Sequence, residues 1–177
     1  MSKPGRLTHV VQPVGDCPPE IGRALWGLED ARRRTLEALK APWDEGLTDW
    51  QSPHERHTVG TLLYHIAAIE LDWLYAEVLE SEFAPELAKL FPYEVRTAQG
   101  GLTPVYGVSG AAHLDRLAIV RSRVLDVYRA MSVVEYRRPR DLEHYTVTPE
   151  WVLHHLMQHE AEHRAEIASL VERFNTK

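Results

Sequence analysis

Apolar residues recur at spacings of three and four in four segments of the chain, and no segment alternates convincingly over the length of a strand. The first segment runs from about Pro19 to Lys40. Leu25, Leu28, Leu36 and Leu39 form its stripe, Pro18 and Pro19 suit a helix start, and Pro42 ends it. The second opens at Thr58, an N-cap residue, and carries Leu62, Ile66, Ile69, Trp73 and Ala76, with Pro85 downstream. The third starts beside Ser109 and uses Leu114, Leu117, Val120, Val124 and Val127 or Tyr128 before Pro139. The fourth begins at Thr148-Pro149-Glu150, a hydroxyl cap followed by proline at the first helical position, and runs nearly to the C-terminus.

Four amphipathic helices without strands predict an all-α fold, a four-helix bundle, as one domain over residues 1–177. The connections are long: about Ala41 to His57, Glu82 to Val108 and Ser132 to Val147. The middle one contains Pro85, Pro92, Gly100, Gly101, Pro104 and Gly107, and exceeds what adjacent antiparallel helices need. It is expected to cross the bundle or to cover a site.

Helical geometry selects among the histidines. His155, His159 and His163 follow one another at four-residue intervals, a spacing that stacks imidazoles along one helix face. With His159 as zero and about 100° per residue, the stripe of Val152, Leu153, Leu156, Ile167, Leu170, Val171 and Phe174 centres near about 70°. His163 falls well inside it, His159 at its edge, and His155 beyond the edge. His65 borders the core face of the second segment in the same way. Three inward imidazoles on two helices are costly to bury unpaired, and a metal ion would offset that cost. His65, His159 and His163 are therefore the candidate metal ligands, with His155 peripheral. His9, His54, His57, His113 and His144 have no comparable companions and read as surface or loop residues.

Composition narrows the function classes. The 177 residues are 44% hydrophobic and 26% charged, which suits an ordinary globular core. A formal charge of −6 disfavours a nucleic-acid surface, although Arg116, Arg121, Arg123, Arg129, Arg137, Arg138 and Arg140 gather in one region. Those arginines read as a solvated helix face and loop. Cys17 is the only cysteine, so an internal disulfide and a thiolate cluster are both excluded. There is neither a signal-peptide core nor a run approaching the roughly 18 apolar residues of a membrane span. The expectation is a cytoplasmic protein acting on a small molecule, without a nucleic-acid or membrane partner.

Two other metal chemistries touch the same segment. His159-Glu160-Ala161-Glu162-His163 matches the H-E-x-x-H pattern of zinc proteases, but the usual downstream ligand is missing: Glu166 and Glu172 share the same helix. Glu160-Ala-Glu-His163 matches half of a di-iron bundle motif, yet Leu62 stands where a glutamate should precede His65 by three residues.

The chain resembles the DinB/YfiT-like family of metal-dependent proteins. The resemblance lies in Thr58-Val-Gly60-Thr-Leu-Leu-Tyr-His65-Ile-Ala, like the family's capped second helix with its histidine, and in His159-Glu-Ala-Glu-His163-Arg164, like its terminal H-x-x-x-H-R. It implies an up-down-down-up bundle, a divalent metal on His65, His159 and His163, and frequently a homodimer. Ala165 departs from the glycine that members commonly carry after the motif arginine, a change that removes no ligand.

Three imidazoles leave a divalent ion an open position for water or substrate. Zinc or nickel leads the expectation, with iron and manganese also acceptable to imidazole. Thiol-dependent transferases and isomerases among the family's members imply S-transfer with a low-molecular-weight thiol cosubstrate, such as bacillithiol or mycothiol. Metal-dependent hydrolysis is the alternative enzyme reading, and a non-catalytic, metal-stabilised stress or interaction protein is the alternative outside enzymes. Glu160 and Asp72 are the candidate catalytic carboxylates, as a base or as a partner that orients an imidazole. Arg164 could face an acidic substrate or pair with Glu160, and receives no catalytic role.

Overall fold

Helix starts follow the hydroxyl residues that the sequence offers as caps. The computed structural model describes residues 8–39 and 45–177. In chain order these form α1 (Pro19–Leu39), a 3-10 turn (Glu45–Leu47), α2 (Val59–Trp73), a π-helical turn (Leu74–Val78), α3 (Pro85–Ala88), α4 (Gly110–Arg129), α5 (Val133–Tyr136), β1 (Arg140–Asp141), β2 (Thr146–Val147) and α6 (Pro149–Asn175). Thr58 accepts a hydrogen bond from the Thr61 amide at 3.1 Å, Ser109 from Ala112 at 3.2 Å and Thr148 from Trp151 at 3.1 Å. Each bond satisfies one of the amides left open at a helix start. Lys40, Pro42 and the rest of residues 40–44, where the first helix was expected to stop, lie outside the described residues.

The chain is mostly helical. Helix α1 packs on α6 and α4, and α2 packs on α4 and α6, so the long helices share one apolar interior. Every residue from Val59 to Leu71 is buried, which makes α2 the most enclosed element. That is why its apolar character runs all round rather than along a single stripe.

The middle connection passes over α2. Tyr64 Oη donates to the Tyr93 carbonyl at 2.7 Å and accepts from the Tyr93 amide at 3.0 Å, while Thr61 Oγ1 accepts from the Val105 amide at 3.1 Å. These bonds hold a long loop, which would otherwise lose closure entropy without compensation, against the helix that carries His65.

Several expectations are corrected. Ala76 is exposed rather than part of the core stripe, because it lies within the π-helical turn, which widens the helical period there. Two paired strands exist, Arg140 opposite Val147 and Asp141 opposite Thr146, but two residues apiece are too few to leave an alternating pattern. Arg121 and Arg140 are buried instead of solvated. Arg140 donates to the Val78 carbonyl through Nε at 3.3 Å and Nη2 at 3.2 Å, tying the last connection to the end of the π-helical turn. His113 is also buried, on α4, where its Nδ1 lies 3.0 Å from an Arg116 guanidinium nitrogen.

Candidate metal centre

One turn of α6 separates His159 from His163, so both rings project toward the same side, and α2 brings His65 against them. One nitrogen from each of the three rings lies within 4.8 Å of the others. His65 Nε2 and His159 Nε2 stand 3.1 Å apart. Two nitrogens on a tetrahedral zinc with bonds of 2.0–2.1 Å would be separated by about 3.3 Å, so the spacing already fits a shared ion. The ring centroids of His65 and His163 are 5.0 Å apart, and those of His159 and His163 are 4.6 Å apart.

The electrostatics favour uncharged rings. Burial lowers the pKa of His65 to about 3, assisted by any positive charge on His159, His163, Arg96 and His57. Burial likewise lowers His159 to about 3, with His163, His155 and Arg96 acting in the same direction against a smaller opposing effect from Glu70. Neutral imidazole is the form that ligates metals, so these rings need not release a proton at neutral pH. His65 Nδ1 is buried without a hydrogen-bond partner among the described residues.

His163 is oriented by Glu166, whose Oε1 lies 2.8 Å from Nδ1. A carboxylate on one ring nitrogen fixes the tautomer and leaves Nε2 as the donor toward the cluster. Glu166 entered the sequence reading only as an unsuitable protease ligand. Its i+3 position relative to His163 was the signal for this second role. His57, read as a loop residue, is half-buried, and Glu166 and His163 both influence its charge state. Arg96, on the middle connection, also acts on the cluster, and nothing in the sequence pattern marks it. Long-range proximity of this kind leaves no mark on helical periodicity.

The depth order differs from the one expected. His65 is the most enclosed of the three, whereas His159 and His163 are half-buried, so the cluster sits at the border of the core with α6 on its open side.

Glu160 has a different setting from the one expected of a catalytic carboxylate. Its Oε1 accepts from Arg32 Nε at 2.7 Å and its Oε2 from Arg121 Nη2 at 2.9 Å. Burial pushes its pKa up, but the two guanidiniums outweigh that effect and hold the carboxyl below its usual range. A base locked between two arginines is poorly placed to collect a proton, which also argues against the H-E-x-x-H protease chemistry. Asp72 lies seven residues beyond His65, about 10 Å along the α2 axis. It lines a separate surface cavity with Ala76, Glu80, Ser81, Glu82 and Phe83, and burial raises its pKa.

A family model matches residues 28–167 and is that of the DinB superfamily. The chain belongs to the DinB superfamily. The matched span contains all three clustered histidines and the packed helices that carry them. No curated protein matches the chain. The superfamily is a metal-binding one, and the donor chemistry observed here agrees with that: three imidazoles, two of them facing each other through Nε2 and a third oriented by a carboxylate. Among the described residues, no helix is long and apolar enough to cross a membrane.

Proposed function

We propose that this DinB-superfamily protein is a metal-dependent enzyme that transfers a low-molecular-weight thiol to a small electrophilic substrate. His65, His159 and His163 would hold one divalent cation. The observation that carries the reading is the convergence of three imidazole nitrogens within 4.8 Å at the border of the core. No fourth histidine, cysteine or carboxylate belongs to that cluster among the described residues, and three-ligand sites with an open position are characteristic of catalytic rather than structural metal centres.

When bound, a divalent ion supplies Lewis acidity that favours the deprotonated form of a thiol or of water. The chain's own residues set the conditions for that chemistry. His65 and His159 are held neutral by burial, and Glu166 fixes the ring of His163. Arg96 supplies positive charge near the cluster, suited to drawing an anionic cosubstrate toward it. Tyr64 and Thr61 anchor the loop that carries Arg96, so that charge is held by structure rather than by a free tail.

The same reading includes the finer architecture: a single domain folded as an up-down-down-up four-helix bundle, working in the cytoplasm and capable of forming a homodimer. Zinc and nickel are the leading ions, followed by iron and manganese. The test is elemental analysis of protein purified without an affinity tag, followed by thiol-transfer assays with the identified metal. One equivalent of metal and thiol-dependent turnover are expected. Turnover of an ester or amide without thiol would replace transfer with hydrolysis. A metal that leaves without consequence for any activity would make the bundle a metal-stabilised, non-catalytic protein.

A further inference from the structure

We infer that the cavity lined by Trp73, Pro139, Tyr145, Val147 and Trp151 binds the uncharged aromatic end of a small-molecule substrate whose reacting end lies at the three histidines. The inference rests on the metal-dependent reading above and extends it to the class of substrate.

The cavity has a volume of about 510 Å³, within the usual range for small-molecule sites. Two of its aromatic rings are open to solvent: Tyr145 and Trp151 are each 46% exposed, whereas Trp50 and Trp73 are half-buried against the core. A continuous series of rings joins this wall to the metal centre. Trp73 lies 6.3 Å from Tyr145 and 5.5 Å from Trp151, centroid to centroid. His155 lies 4.3 Å from Trp73 and stacks on Trp151 at 5.2 Å with only 5° between the ring planes. On its other side it is 6.0 Å from His159. A molecule extending along this path would meet aromatic faces at one end and the ligand cluster at the other.

The wall is preformed. Tyr145 Oη donates to Glu77 Oε1 at 2.8 Å, and buried Arg140 bonds the Val78 carbonyl, so the C-terminal end of the π-helical turn after Trp73 is tied to the strand hairpin beside the cavity. π-helical turns recur at functional sites because they change the direction of neighbouring side chains. Charge selects further. Glu77 touches Tyr145, and the charges of both Glu77 and Asp72 are felt at the Tyr145 ring, so an anionic ring stacked there would be repelled by two carboxyl groups. Flat, neutral rings suit such a wall because offset stacking adds to the gain from burial.

The test compares two metal-binding probes on zinc-loaded protein, 4-phenylbutanohydroxamate and acetohydroxamate, by calorimetry and by the NMR resonance of the Trp151 indole N–H. The phenyl probe should bind about tenfold tighter or more, and shift that resonance. Trp151→Ala should remove the advantage and leave acetohydroxamate unaffected, while Trp151→Phe should keep most of it. Trp151 contributes only its backbone amide to the helix cap, so these variants retain the start of α6.

Equal affinity of the two probes would overturn the aromatic site while leaving the metal reading intact. A Trp151 shift and a phenyl-probe affinity that are the same with and without zinc would show that a molecule in the cavity does not reach the three histidines, and would overturn the proposal while leaving the metal reading to elemental analysis. Conversion of a dimer to a monomer by Trp151→Ala, with unchanged probe affinity, would assign this face to a second copy and overturn the proposal.

Discussion

Helices α2 and α6 each contribute to two polar clusters, and the clusters are resolved in opposite ways. Glu70 of α2 and Glu160 of α6 meet Arg32 of α1 and Arg121 of α4. Arg121 Nε and Nη2 bond the two oxygens of Glu70 at 2.6 and 3.0 Å, and Arg32 Nη2 reaches Glu70 at 2.9 Å. The remaining guanidinium donors go to the carbonyls of Leu117 and Leu28 and to Glu29. Two positive and two negative groups at the centre thus neutralise one another, and none of their atoms is orphaned among the described residues. The imidazole cluster contains no opposite charge at its centre, faces nitrogen with nitrogen, and leaves His65 Nδ1 unpaired. A buried polar cluster that completes itself ties helices together, whereas one left incomplete is suited to a ligand.

The sharpest way to break this contrast is Arg121→Met. It leaves Glu70 and Glu160 short of donors inside the core, and an uncompensated buried charge costs about 3–5 kcal/mol. Urea denaturation should register a loss of that order, while zinc affinity of the still-folded protein changes little. A loss within experimental error would show that the charged cluster does not hold the helices.

Acid offers a second separation. The folded-state values of about 3 for His65 and His159 and about 4 for His113 all lie below the ordinary 6.5 of an unfolded histidine. Between those limits the unfolded chain binds more protons. Stability is therefore full above about pH 6.5 and falls as pH descends toward 3–4. For His113, whose pKa is lowered by burial and then by Arg116, the difference amounts to roughly 3 kcal/mol across the window. His113→Gln should flatten the fall in urea midpoint of metal-free protein between pH 6.5 and 4. An unchanged pH slope would disprove the assignment.

Removal of one ligand should act on the open cluster alone. His163→Ala is expected to weaken zinc binding by more than about 100-fold, beyond the effect of losing a partner that merely orients a ligand. His155→Ala should leave zinc affinity within about threefold of wild type, because that ring belongs to the aromatic wall, not to the ligand set. Competition with a chromophoric chelator measures both. Equal losses in the two variants would refute the ligand assignment.

Periodicity was sufficient for the elements whose logic is local. The hydroxyls of Thr58, Ser109 and Thr148, followed by apolar residues at helical spacing, place the starts of α2, α4 and α6. The same wheel geometry brought His65, His159 and His163 together, because a wheel shows which face a residue occupies. It cannot show what arrives at that face from another helix. Glu160 falls nearer the centre of the α6 stripe than His159 does, yet its partners Arg32 and Arg121 are 128 and 39 residues away in the chain. Such pairing looks like an anomaly within one amphipathic stripe until all the helices are assembled. Ala76 was missed for a different reason: a constant helical period does not anticipate the π-helical turn.

Glu166 gives the finest test of the difference between the clusters, because its carboxylate touches a candidate ligand without belonging to the ligand set. The 2.8 Å contact to His163 Nδ1 fixes the ring and leaves the other nitrogen free to face a cation. Glu166→Gln keeps the size and one acceptor but removes the charge. Zinc affinity should fall by about 10- to 100-fold, the range for such indirect partners, and Glu166→Asp should fall between Gln and wild type if reach as well as charge matters. Since Glu166 is 40% exposed, the unfolding midpoint of the metal-free variants should stay close to that of wild type. Calorimetric zinc titration at constant pH separates these outcomes. Unchanged affinity in Glu166→Gln would mean that packing alone orients His163, whereas reduced stability without reduced affinity would make the contact a tie along α6, like the ion pairs of the charged interior.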